Sequence, residues 1–291
     1  MKTIVVATDF SATATNAVQY AAALATAVGA RLVLFHHFDY PMPATDFQEA
    51  YPVIFVDDIE ASFERRLESM KTELALTYAL EIECVVRALT LSADLEEMYQ
   101  EWSADLIVMG MQGHNPVINA LVGNATAAAI RRGNLPLLVV PQGVVFNPVQ
   151  KILLPWDDQT SPSPDTLQPL LDLAVAFDAY IEVLTLFDLE KTPALVPNGE
   201  LSPTKAQLDA LLARSRHGYA YENESTVDKG ILYEAARSAA DLVAMIPHHH
   251  SFWSALLNQS DTQRVAATIT LPLLVLGERV LPTGEDKVET A

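Results

Sequence analysis

One cysteine stands in 291 residues, so the chain can form no intrachain disulfide and no thiolate set for a zinc or iron–sulfur site. Cys84 reads as a small buried apolar residue. Basic residues are also scarce: 18 Lys and Arg against 37 Asp and Glu leave a formal charge of −19. Without a basic cluster to offset polyphosphate repulsion, a nucleic-acid partner is not expected. Uncharged apolar runs fall short of the roughly 20 residues that cross a bilayer, and the opening Met1–Asp9 meets an acid too early for a signal sequence. A soluble, cytoplasmic protein without a membrane partner is the expectation. Glycine numbers only 11, so a cluster of glycines at regular spacing calls for a reason.

What is present is apolar material, 50% of the residues, on a length that suits two domains better than one core. The two halves repeat one plan. Lys2–Asp9 resembles Lys151–Asp157, each an apolar run ending in an acid and leading into a helical pattern. Ala30–Asp39 matches Ala179–Asp188, both closing on Phe-Asp. Ala104–Met109 matches Ala240–Met245, and Leu135–Val140 matches Leu271–Leu276. A third strand fits Ile82–Ala88 and Gly218–Glu224. Helical spacing runs through Ile59–Ala79, Ala93–Trp102 and Ile231–Ala240. Short apolar strands alternating with helices predict α/β domains with parallel, doubly wound, Rossmann-like sheets, because crossover helices cover both faces. Residues 1–143 and 149–280 are the expected domains, docked through a short linker carrying Gly143, Asn147 and Pro148, with 281–291 as a flexible tail.

Ligands of such sheets bind beyond the carboxyl ends of the strands. After the fourth strand the chain runs from Gly110 through Gly113 to Gly123 and Asn124: glycine, two residues, glycine, nine residues, glycine, then a favoured N-cap type. Glycines let backbone N–H groups approach an oxyanion, and a helix opening at Asn124 and running to about Arg132 would add its own unpaired N–H groups and positive dipole end. Asp9, just past the first strand, has two readings: a ribose or metal–phosphate partner, or a cap for the helix that follows. His36 and His37 should face opposite sides of their strand. The His248–His250 run lacks ligand spacing around it and reads as a solvated loop.

The Thr-Asp-Phe-Ser start, the Met-Gly-x-x-Gly loop and the Pro-Leu-Leu-Val-Val-Pro end resemble the universal stress protein family, twice along the chain. The resemblance implies two tandem domains of the adenine nucleotide alpha hydrolase-like fold. It also implies that the first binds ATP, ADP or AMP, with or without magnesium, in a stress-response role. It places Gly110, Gly113, His114, Gly123, Asn124 and Ala125 around the phosphates, Asp9 at the ribose, and His37, Ala88 and Leu89 near the base. Asn124 stands where Ser or Thr is usual, His37 where a small aliphatic residue is, and His114 where a polar or basic residue is. In the second half the aligned positions are Ile246, His249, Gln259 and Ser260, so the glycines are gone and added Cβ atoms should obstruct the phosphate path. Family members dimerise through their last strands. A tandem chain would form that dimer internally, Leu137–Val140 against Leu273–Leu276, and a further homodimer of such chains is a second level of assembly. A scaffold of the same fold that binds no nucleotide is the alternative. Nothing marks an enzyme beyond slow ATP hydrolysis, since no nucleophile with its base can be placed.

Overall fold

The computed structural model describes residues 1–38, 56–87, 91–111, 124–156, 161–187, 202–224, 226–246 and 270–277. Each apolar run forms a strand. The first half contributes β1 (Thr3–Ala7), β2 (Arg31–His37), β3 (Ile82–Arg87), β4 (Leu106–Met111) and β5 (Leu137–Pro141). The second contributes β6 (Lys151–Pro155), β7 (Tyr180–Phe187), β8 (His217–Asn223), β9 (Leu242–Met245) and β10 (Leu273–Val275). All join one ten-stranded sheet in the order β3-β2-β1-β4-β5-β10-β9-β6-β7-β8. Within each half the ladders are parallel, and the halves meet through an antiparallel ladder that pairs Val139 with Leu273, Leu138 with Leu274 and Leu137 with Val275. The pairing of the two last strands is the one expected of an internal dimer.

The helices are α1 (Ala12–Val28), α2 (Val56–Ala75), α3 (Leu91–Glu101), α4 (Asn124–Arg132), α5 (Pro164–Phe177), α6 (Pro203–Leu212) and α7 (Val227–Arg237). Strand side chains alternate between two cores. Ile4, Val6, Leu32 and Leu34 join Ile152 and Leu154 beneath α1, α2, α5 and α6, while Val5, Val33 and Phe35 join Leu153 and Leu184 beneath α3, α4 and α7. Both cores cross the seam between halves, and burial on both faces is why these strands read as unbroken apolar runs rather than alternating ones. Helix starts follow capping chemistry. The Ser11 and Ser163 hydroxyls accept the amides of Ala14 and Thr166, each 3.1 Å away, and Pro164 sits at the first helical turn, where its missing N–H costs nothing.

The repeated Ala-Asp-Leu has one role in both halves. Asp105 accepts the amides of Lys2 and Thr3, and Asp241 accepts those of Gln150 and Lys151 at 2.8 and 2.9 Å. Each carboxylate thereby ties the start of the first strand of its half to the start of the fourth. The segment between the halves is docked, as its length predicts: Val149 is buried, Phe146 packs edge-on against Tyr20, and the Asn16 amide donates to the carbonyls of Pro141 and Val144. Cys84 departs from expectation. It is half-buried, because β3 is an edge strand, though burial and nearby Glu68 still push its thiol up to about 12. Among the described residues no helix is long and apolar enough to cross a membrane.

Candidate nucleotide crevice

In the first half the strand order turns between β1 and β4: β1 passes through α1 to β2 on one side, while β4 arrives from β3 through α3 on the opposite face. A crevice outside the carboxyl ends of these two strands is the place where such sheets accept ligands. Asp9 follows β1, Gly110 lies at the end of β4, and His37 ends β2, so three of the predicted residues reach this rim. Gly113, His114, Gly123, Ala88 and Leu89 lie outside the described residues, as do Asp157, His248–His250, Gln259, Ser260 and the segment 281–291. Of Asn124 and Ala125 the helical backbone alone is described.

The turn from β1 into α1 is built by short-range hydrogen bonds. Thr8 continues the sheet by donating its amide to the Phe35 carbonyl at 2.9 Å, and Phe10 donates to the Thr8 hydroxyl at 3.0 Å. Ser11 donates to Asp9 Oδ1 at 2.9 Å. The N-cap of α1 is therefore Ser11, and Asp9 shapes the turn just before it with its carboxylate exposed to solvent. Phe10 adopts a left-handed backbone, φ 64°, which costs a non-glycine residue about 1 kcal/mol.

Gly110 has a reason that sequence reasoning did not supply. A Cβ there would stand 2.8 Å from the Thr13 carbonyl oxygen and 2.9 Å from its carbon, so the missing side chain lets the first turn of α1 lie against β4. On the other side Thr126, buried in the first turn of α4, donates its hydroxyl to the Gly110 carbonyl at 3.1 Å. This bond fixes the amino end of α4 at the mouth of the crevice. Thr126 was not among the predicted residues. A hydroxyl two positions into a helix that follows a glycine-rich loop is the signal that would have found it.

His36 and His37 do face opposite sides. His36 is buried on the α1 and α2 side, with its ring 4.5 Å from Phe10 and 4.2 Å from Phe63, whereas His37 follows Phe35 on the α3 side. Burial pulls the His36 pKa below its ordinary value, against the opposing pull of the hydrogen bond to the Thr8 carbonyl. Beside His37 in the sheet stands Arg87, paired with Glu101 of α3 at 2.7 Å. Both partners are about half exposed, at 42% and 50%, so this pair contributes no more than about 1 kcal/mol.

The second half diverges at the same places. Ile107 and Val243 each donate to a Leu-Pro carbonyl, from Pro136 and Pro272, which puts Ile246 at the register of Gly110. The Ile246 side chain is buried in the core shared with Trp156, on the face covered by α5. It lies in the same core cluster as Val108, two residues before Gly110, so the two positions share a face of the sheet. Residues 156–163 stand between β6 and α5, where residues 8–11 stand between β1 and α1. Among the described residues no group of His, Cys, Asp and Glu is placed to hold a metal ion.

Comparison with known proteins places these features. The sequence profile of the universal stress protein family matches residues 1–141. A universal stress protein from Archaeoglobus fulgidus DSM 4304 superposes with TM-score 0.68 at 13% identity, covering 94% of this chain and 98% of its own. A putative universal stress protein from Pseudomonas aeruginosa UCBPP-PA14 does so with TM-score 0.52 at 16% identity, covering 95% and 93%. A functionally unknown protein from Pseudomonas aeruginosa PAO1 follows at TM-score 0.51 and 14% identity, covering 95% and 92%. At these identities the likeness is one of fold, and it extends over both halves. No curated protein matches the chain.

Proposed function

Because the chain belongs to the universal stress protein family, with residues 1–141 as the matched region, we propose that its first half binds ATP or a related adenine nucleotide in a regulatory, stress-response role. The observation that carries this reading is the Thr126–Gly110 bond, which ties the first turn of α4 to the end of β4, the strand paired with β1 ahead of the exposed Asp9. Such amides and the helix dipole suit a phosphate without any lysine. The chemistry of the predicted residues supports such a ligand. Gly110, Gly113, His114, Gly123, Asn124 and Ala125 would surround the phosphates, with magnesium as an accompanying ion. Asp9 keeps acceptor capacity for ribose hydroxyls beyond the bond it accepts from the Ser11 amide, and His37, Ala88 and Leu89 would meet the base. The second half serves as the internal dimer partner without a nucleotide of its own, and turnover would at most be slow hydrolysis.

A scaffold acting through protein partners is the second reading, and it draws on one observation: the Gly110–Thr13 contact explains that glycine without a ligand. Thermal unfolding with and without saturating ATP and magnesium separates the two. A ligand at 100 times its Kd stabilises by about 2.7 kcal/mol, a shift on the order of 5 °C. The nucleotide reading predicts that shift for wild type and its loss in Gly113→Val, and the scaffold reading predicts none in either.

A further inference from the structure

We propose that His36 is a positioning residue for the crevice: its Nδ1–H holds the Thr8 carbonyl and so fixes the turn that presents Asp9. His36 Nδ1 lies 2.7 Å from the Thr8 oxygen. A carbonyl only accepts, so Nδ1 carries the proton, and the neutral ring then has a bare lone pair at Nε2. That nitrogen is buried and has no hydrogen-bond partner among the described residues. A buried ring that leaves one nitrogen unsatisfied is costly to keep, so the bond made by the other nitrogen is the feature to explain.

The bond acts at a particular peptide. Thr8 is the last residue of its segment tied to β2, through its amide to Phe35. Fixing its carbonyl as well sets the plane of the Thr8–Asp9 peptide, and everything after it is strained or turned: Phe10 is left-handed, and Asp9 must meet the Ser11 amide. The same histidine ring supports Phe10 from below, while Phe63 stacks on Phe10 at 6.0 Å and the Arg66 guanidinium lies 3.8 Å from the Phe10 ring centre. One side chain therefore supports both ends of the turn.

The repeat supplies an internal control. In the second half the backbone bond persists, Trp156 donating to Leu184 at 2.9 Å, but Thr185 stands at the register of His36 and more residues separate the strand from its helix. The histidine occurs in the half whose first strand and first helix are joined by the shorter connection. Its consequence for ligand affinity rests on the nucleotide reading above, whereas its effect on the turn does not.

Full-length protein labelled at histidine and backbone nitrogen tests this in three forms, wild type, His36→Asn and His36→Leu. The His36 nitrogen shifts should mark Nδ1 as the protonated site. Protection of the Phe10 and Ser11 amides against hydrogen exchange should fall about tenfold in His36→Leu and be restored in His36→Asn, whose side-chain amide can replace the donor. The dissociation constant for ATP should rise and recover in the same order. A proton at Nε2 instead, or unchanged Phe10 and Ser11 protection in His36→Leu, overturns the proposal. If His36→Leu does not fold, the wild-type tautomer and the His36→Asn protection decide, with loss of protection in His36→Asn counting against it. Absence of ATP binding in wild type would overturn the nucleotide reading and leave the amide measurements to decide the role of His36.

Discussion

Gly277→Ala is expected to disrupt the seam of the ten-stranded sheet and lower the melting temperature by on the order of 10 °C. An alanine Cβ at this position would stand 2.4 Å from the Leu135 nitrogen, 2.5 Å from its carbonyl carbon and 2.6 Å from its oxygen. These are backbone atoms, so no rotamer change relieves the overlap. Shifting them moves Pro136, whose carbonyl accepts the Ile107 amide, and with it the start of β5. β5 and β10 meet over three register pairs, the ladder that joins the two halves. Backbone displacement of that kind costs roughly 3 kcal/mol or more. Gly29→Ala provides the comparison. It is left-handed at φ 69° but has nothing within 4 Å of an added Cβ, so backbone strain of about 1 kcal/mol is its whole expected cost. Thermal and urea unfolding of the two variants side by side checks the contrast, and equal small losses would show that the seam tolerates movement.

The second large effect concerns charge buried in one half and absent from the other. Where the first half has Thr3, Val33 and Met98, the second has Lys151, Glu182 and Glu234 at the same strand and helix registers. Lys151 Nζ lies 2.9 Å from Glu182, and Arg237 binds Glu234 at 2.7 Å and Glu222 at 3.0 Å. Glu234 is only 1% exposed, and burial, with Glu182 beside it, holds its pKa above the ordinary range against the pull of Arg237. Burial pushes Glu182 the same way, but its hydrogen bond to Lys151 wins and its pKa is lowered. The two carboxyls perturb each other in opposite directions, Glu234 upward and Glu182 downward. Lys151→Met removes the ammonium and leaves Glu182 uncompensated, which is expected to cost about 3 kcal/mol. Replacing the set by its first-half counterparts, Lys151→Thr with Glu182→Val and Glu234→Met, is expected to be neutral or stabilising, since apolar packing commonly matches a buried ion pair. Urea denaturation of both variants tests this. A triple variant less stable than Lys151→Met would show that the network stabilises the fold beyond its own desolvation.

The fold was readable because its strands are buried on both faces. Continuous runs such as Ile4–Ala7 and Leu137–Val140 announce themselves, and the repeat doubles every signal. Helix ends were displaced by up to a turn: α2 ends at Ala75 and α7 begins at Val227, positions where periodicity carries no information about which turn is the last. α6 drew no specific expectation. Glu182 and Glu234 were invisible as a pair because they lie on different elements, and only the register of β7 under α7 brings them together. The predicted crevice residues that are described do converge at one end of the sheet. What the motif could not convey is why Gly110 lacks a side chain, since its neighbour Thr13 lies nearly a hundred positions earlier. Likewise Thr8, Phe10 and His36 have no spacing that links them until β1 and β2 pair.

The most direct test of the central claim, one adenine-nucleotide site per chain, is a binding stoichiometry. Equilibrium dialysis of the intact chain against labelled ATP and magnesium should give one nucleotide per chain, lost in Gly113→Val. Two per chain would assign a site to the second half as well, and none at millimolar ATP would contradict the nucleotide reading.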